Sequence, residues 1–190
     1  MRDLVVSDSS FYIAFLSPDE INDPMILSEI LQNYEFFLGR IVLNEITEKH
    51  SDLLELIGFG ESIIISERYD YSALLSIVGD KIFKKGEYEC MAIAYFVYKK
   101  SELHSLILDD NPARRFVERN IPDLHPFVKY SLRFIVNCCC SEQKLSRNKV
   151  FVILNRTKQA IRNGDRPFNL IERNIGIVEQ LLNEVSECQN

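Results

Sequence analysis

Carboxylates sit at the ends of four apolar runs in this chain: Asp8 after LVVS, Glu45 in RIVLNEI, Glu87 and Glu89 in KKGEYECMAIA, and Asp109 with Asp110 after SLIL. A Val/Ile/Leu run ending in an acid is how a parallel strand delivers a carboxylate to one edge of a sheet. If the runs are neighbouring strands, the acids converge at the carboxyl edge, where open α/β sheets bind ligands. Crowded carboxylates repel one another and stay ionised together only beside a cation. Clustered hard oxygen donors suit Mg²⁺ or Mn²⁺, and the chemistry such a centre supports is metal-assisted hydrolysis of a phosphodiester.

Each acid also has a plainer use. Asp8 and Asp110 stand at strand-to-helix junctions, where Asp is favoured as an N-cap. Glu87 and Glu89 fall in a first helical turn, where carboxylates complement the helix dipole. Positions i and i+2 do not share a helix face, so Glu87 and Glu89 point apart, one a ligand and the other in contact with a second ion, a water or a basic side chain. The choices between Glu87 and Glu89, and between Asp109 and Asp110, stay open on sequence.

The elements that would position these acids alternate. Residues 4–8 read as a strand and FYIAFL as the helix after it. Asp23-Pro24 starts a helix whose apolar positions run at helical spacing through Tyr34, Phe37 and Leu38 to Gly39. Ile41–Leu43 is expected as the second strand, Ile63–Ile65 as the third and Leu106–Leu108 as the fourth. Helices are expected from Glu45 to about Ile57, at Tyr69–Val78, from about Glu87 to Lys99, and from Pro112. Strand and helix in alternation imply a mostly parallel sheet covered by helices. Residues 127–140, 147–162 and 169–187 read as helices, with Gly164 a C-cap. The whole of 1–190 is expected to be one domain: a core over 1–125 carrying the acidic site, and a helical continuation over 126–190.

The charge is unevenly spread. Residues 1–110 carry 9 Lys/Arg against 20 Asp/Glu, and residues 111–170 carry 12 against 4. An acidic centre beside a basic half suits a phosphate-backbone substrate. Arg114 and Arg115 directly follow the fourth acidic patch and are candidates to hold a phosphate. Five cysteines, three of them consecutive (Cys138–Cys140), include no C-x-x-C pair and read as reduced, buried thiols. No apolar run is long enough to span a membrane, and the N-terminus reads as a first strand, not a secretory leader, which places the expected protein in the cytoplasm. His50, His104 and His125 lack H-x-x-x-H spacing. The P-loop, D-x-D and G-x-S-x-G patterns are absent, so a zinc hydrolase, an NTPase, a phosphotransferase and a serine hydrolase are not indicated.

In their order, VVSDSSFYIAFL, RIVLNEI, KKGEYECMAIAYF and LILDDNPARRFVE resemble the PIN-domain family of metal-dependent ribonucleases, closest to its branch of prokaryotic toxin–antitoxin toxins. The resemblance covers about residues 3–120, with YSLRFIVN and IRNGDRPF similar to that branch's C-terminal helices. It implies a three-layer α/β/α fold with a central parallel sheet, a Mg²⁺ or Mn²⁺ site, and endoribonuclease activity on RNA. Asp8, Glu45, Glu87 and Asp110 match the four acids, Asp109 and Glu89 are their neighbours, and Ser9 or Ser10 matches a hydroxyl beside the first acid. Asn44 stands where a small hydroxyl residue is usual. The expected partners are RNA, a cognate antitoxin protein and a second copy of the chain in a homodimer. The rival expectation is the same fold used as a catalytically silent binding module for protein or RNA.

Overall fold

The computed structural model describes residues 3–56, 63–65, 86–100 and 102–188. The chain begins with β1 (Leu4–Ser7), whose four residues are all buried, as a central parallel strand requires. α1 (Ser9–Leu16) follows directly. α2 (Pro24–Asn33) starts where expected: Asp23 accepts the Ile26 N–H at 3.1 Å and Pro24 occupies the first turn.

The next elements correct the sequence reading. α2 ends at Asn33, and residues 35–38 form β2 (Glu35–Leu38) in place of the last helical turn. Phe36 and Leu38 are buried while Glu35 and Phe37 are half-exposed, a period of two. Tyr34, Phe37 and Leu38 matched a helical spacing only by coincidence. Residues 41–43 are therefore not a strand. They open α3 (Arg40–Leu56), which buries Val42 and Ile46 at i and i+4.

β3 (Ile63–Ile65) stands where it was expected, while the helix expected at Tyr69–Val78 lies outside the described residues. α4 (Gly86–Lys99), β4 (Leu103–Ile107) and α5 (Asn111–Asn120) follow. Residues 128–130 are not helical. Val128–Lys129 form a short fifth strand, β5, after a 3₁₀ turn at Pro122–Phe127, so the second half contributes to the sheet as well as adding helices. α6 (Ser131–Cys140) and α7 (Arg147–Asn163) come next, and α7 ends on Gly164 in the left-handed conformation (φ 96°). The expected helix over 169–187 is shorter: two 3₁₀ turns, Pro167–Asn169 and Glu172–Asn174, precede α8 (Ile175–Glu187).

The sheet is wholly parallel, with strand order β3-β2-β1-β4-β5. Helices cover it in a three-layer α/β/α arrangement. α4 packs on β1, β2 and β4, α6 packs on β4, and α1 packs on α2 and α3. Aromatic rings fill the core between them: Phe11 stacks on Phe36 at 5.7 Å, and Phe134 of α6 meets Phe11 edge-on at 6.0 Å. α7 and α8 pack on each other and on α6.

Cys90, Cys138 and Cys139 are free and buried, as read from the sequence, but Cys140 and Cys188 form a disulfide that ties the end of α6 to the residue after α8. Burial left three thiols inert, while chain packing brought the other two Cα atoms to 5.5 Å, within disulfide reach. Among the described residues, no helix is long and apolar enough to cross a membrane.

Candidate active site at the switch point of the sheet

Strand order 3-2-1-4-5 reverses between β1 and β4, and a crevice opens at the carboxyl ends of strands on either side of such a reversal. Asp8 and Asp109 sit there, one just past β1 and the other two residues past β4. The Asp8 N–H continues the ladder to the Ile107 carbonyl at 3.1 Å. The Asp109 N–H then donates to Asp8 Oδ2 at 2.8 Å, and the Ser10 hydroxyl donates to Asp8 Oδ1 at 2.6 Å. The Asp8 carboxyl is thus held from two sides. Burial pushes it up to about 6, the charge of Glu87 adds to the rise, and the Ser10 and Asp109 donors oppose it.

Glu45 reaches the same place from α3, not from a strand end. It is half-buried, and burial raises its carboxyl; a hydrogen bond with Ser9 opposes the rise, and the charges of Glu87 and Glu89 increase it. Gly86, the first residue of α4, lies against it. A Cβ at Gly86 would stand 3.2 Å from Glu45 Oε2 and 3.1 Å from Val42 Cγ2, so the absent side chain lets α3 and α4 close on the carboxylate. Asp8, Glu45 and Glu87 line one cavity of about 260 Å³ together with Ser9, Ser10, Arg166 and Asn169.

Glu89 does not line this cavity. Its Oε2 accepts the Ile41 and Val42 N–H groups at 2.9 and 3.1 Å, capping the first turn of α3. The carboxylate lies over Gly39, where a Cβ would come within 2.0 Å of Cδ. The two glutamates divide the work: Glu87 faces the cavity and Glu89 secures the helix that carries Glu45.

The fourth patch divides in a similar way. Asp109 is buried and turns toward α6, where its oxygens accept the Ser131 N–H at 2.8 Å and the Ser131 hydroxyl at 2.5 Å. Burial first, and the charge of Asp8 next, push its carboxyl up to about 8. Asp110 caps α5 through the Ala113 N–H at 3.1 Å, and with Glu87 it lines a second cavity of about 520 Å³. Of the expected phosphate-binding arginines, Arg114 turns inward. Its Nη1 donates to the Leu108 and Asp109 carbonyls at 2.6 and 2.9 Å. Arg115 is exposed.

Two site residues escaped the sequence reading. Arg166 and Asn169 belong to the turn between α7 and α8, and the Asn169 side-chain amide donates to the Ser10 hydroxyl at 3.3 Å, behind Asp8. The turn is backbone-strained: Phe168 and Asn169 both take positive φ, 54° and 58°. The buried ring of Phe168, packed edge-on to Phe15 at 5.8 Å, anchors it. The available signal was the Asn-Gly-Asp-Arg-Pro run at 163–167, which marks a turn but not what the turn covers.

The donor set fits a hard divalent cation: carboxylates and hydroxyls around a polar cavity, with Asp8 and Glu45 each raised by the charge of Glu87. The carboxylates do not form a closed cage. Among the described residues, the one group of three or more acid, His or Cys side chains whose ligand atoms all lie within 4.8 Å of one another is Asp3, His104 and Glu142. That group is at the opposite, amino edge of the sheet. Lys144 Nζ stands 2.5 Å from Asp3 and 3.4 Å from Glu142, an internal cation for the two acids. At the carboxyl edge, wider spacing suits Mg²⁺, which keeps several waters and takes one or two direct carboxylates. No family model, curated protein or solved structure matches this chain.

Proposed function

We propose that the chain is a Mg²⁺- or Mn²⁺-dependent endoribonuclease, acting in the cytoplasm as the toxin of a toxin–antitoxin pair. The observation that carries the hydrolytic reading is the convergence of Asp8, Glu45 and Glu87 on one polar cavity at the switch point of a parallel sheet. The toxin role rests on the resemblance of the acidic segments to that branch of the PIN-domain family.

A bound divalent cation supplies an acidified water and neutralises charge on the scissile phosphate. Asp8, fixed by Ser10 and the Asp109 N–H, and Glu45, held near Gly86 and Ser9, would hold it, with Glu87 facing them across the cavity. Ser10 is itself held by Asn169, so Asp8 presents its carboxylate without reorganising. Arg166 on the cavity wall is suited to bind a non-bridging phosphate oxygen.

The test is internal cleavage of single-stranded RNA with Mg²⁺ or Mn²⁺, stopped by EDTA, beside a matched preparation of Asp8→Ala. Loss of this carboxylate should lower the rate by roughly a hundredfold or more, the scale of removing a transition-state contact. Equal cleavage by both preparations would identify a contaminating nuclease. A second reading, a binding module without catalysis, is favoured by the two carboxylates of the fourth patch, both already used as helix caps. It would lead if the purified chain bound RNA and left it intact.

A further inference from the structure

The acidic cavity is one end of a longer depression. Glu87, Arg166 and Asn169 line both the first cavity and the second, and Asn111, Pro112 and Arg173 line both the second and a third of about 540 Å³. The depression therefore runs without a break from Asp8 past the start of α5 to the outer face of that helix. Its chemistry changes along the way. Carboxylates line the first two cavities, whereas no acid lines the third, whose charged residues are Arg115, Arg119 and Arg173.

Arg133 pairs with Glu184, Arg156 pairs with Asp23, and Arg114, which lines the second cavity, is held by two carbonyls. Arg115, Arg119, Arg166 and Arg173 are all exposed, and among the described residues none has a side-chain hydrogen bond or ion pair. Glu118 and Glu172, their neighbours in sequence, form no ion pair with them. Four uncompensated guanidinium groups along one depression make a binding surface for a chain of anions. Two of them, Arg166 and Arg173, come from the segment between α7 and α8, which lies outside the stretch carrying the acids.

We propose that this depression is the track of a single RNA strand, with the scissile phosphate at the acidic end and the flanking backbone held by Arg166, Arg173, Arg115 and Arg119. The proposal rests on the ribonuclease reading for its chemistry at the acidic end, and on the arginines for its path. The cavity at the acidic end, about 260 Å³, is on the scale of a single nucleotide unit. Phe116, half-exposed, shares the third cavity with the arginines, the pairing of an aromatic ring with cations that single-strand tracks use. An acidic peptide would be repelled by Asp8, Glu45 and Glu87 at the near end, whereas a phosphodiester arrives there with its cation.

The experiment separates binding from cleavage. The Asp8→Asn protein is titrated with a fluorescein-labelled single-stranded RNA from 50 to 300 mM salt, alone and with Arg166→Ala/Arg173→Ala or Arg115→Ala/Arg119→Ala added. Each pair should reduce the log–log salt slope by about 1.4, at roughly 0.7 per phosphate contact on a single strand. Affinity should fall alike for unrelated sequences. Lys99→Ala, exposed and away from the track, should leave the slope unchanged. Because none of the four arginines has a side-chain hydrogen bond or ion pair among the described residues, their variants should keep the parent melting temperature; if one pair misfolds, the other carries the test. Unchanged slopes in both pairs overturn the track. So does equal affinity for a duplex, or arginine-dependent binding of polyglutamate with none of RNA. If the slopes fall as expected while the wild-type chain cleaves nothing, the track stands and the hydrolytic reading fails.

Discussion

Glu89→Ala should destabilise the fold while sparing the cation site, the reverse of what the sequence spacing allows for a ligand. Glu89 is 1% exposed, and a single oxygen takes the N–H groups of Ile41 and Val42 at 2.9 and 3.1 Å. Truncation leaves both donors at the start of α3 without a partner. At roughly 1–3 kcal/mol for each orphaned buried group, the loss is about 2–6 kcal/mol, a large part of a domain's total stability of about 5–15 kcal/mol. Glu89→Gln keeps an amide oxygen at the same reach and should recover more than half of the loss. Gly39→Ala should fail by the opposite route, because its Cβ would fall within 2.0–2.5 Å of the Glu89 side chain. The assay is urea unfolding for stability, with the melting shift on Mn²⁺ addition as a second readout. Glu87→Ala, by contrast, should unfold near the wild-type midpoint with a reduced Mn²⁺ shift. If Glu89→Ala unfolds within about 1 kcal/mol of wild type and loses the Mn²⁺ shift, the capping role is wrong and Glu89 is a ligand.

Other tests address the acids, the inward arginine and the disulfide. Asp8 and Asp109 have folded-state values of about 6 and about 8, above the ordinary aspartate value near 3.9, so the native state binds more protons than the unfolded one between those limits. Their contribution to the cation-free protein is full below about pH 4 and is lost as pH rises through about 6 and then 8. A divalent cation held by Asp8 takes the place of the Asp8 proton, so the Mn²⁺ melting shift should grow as pH rises through about 6 and vanish in Asp8→Asn; a shift independent of pH refutes the carboxylate site. Arg114→Ala should lower stability by about 2–3 kcal/mol in urea through its two lost carbonyl contacts. Reduction, or Cys188→Ser, should cost about 2–4 kcal/mol for a bridge spanning 48 residues, read as a lower urea midpoint.

Much of this arrangement is legible in the residues, and the exceptions have physical reasons. Leu4–Ser7 reads as a buried parallel strand because it carries no polar alternation, and Asp8 must then lie at its carboxyl end. Asp110-Asn-Pro and Gly164 carry their own start and stop chemistry. The boundary at Tyr34 is illegible because residues 34–38 satisfy periods of 3.6 and 2 at once, and only pairing with β1 decides between them. Two residues of β5 are too few to show any period. That Glu87 and Glu89 diverge follows from their spacing. Which one reaches the cavity depends on Gly39, whose role appears only when α4 lies across the start of α3. Arg166 and Asn169 depend on two positive-φ residues and on the docking of Phe168, neither visible in the composition of the turn. An odd count of cysteines cannot specify the Cys140–Cys188 pairing.

The Cys140–Cys188 bridge makes residues 140–188 a covalent ring, enclosing α7, the turn with Arg166 and Asn169, and α8. The far end of α8 is fastened back to the end of α6. The wall that Arg166 and Asn169 give the cavity is therefore held within the ring. A break in the backbone would not release it. A nick at the exposed Asn163–Gly164 bond would leave two peptides still joined through sulfur, migrating as one species until a reductant parts them.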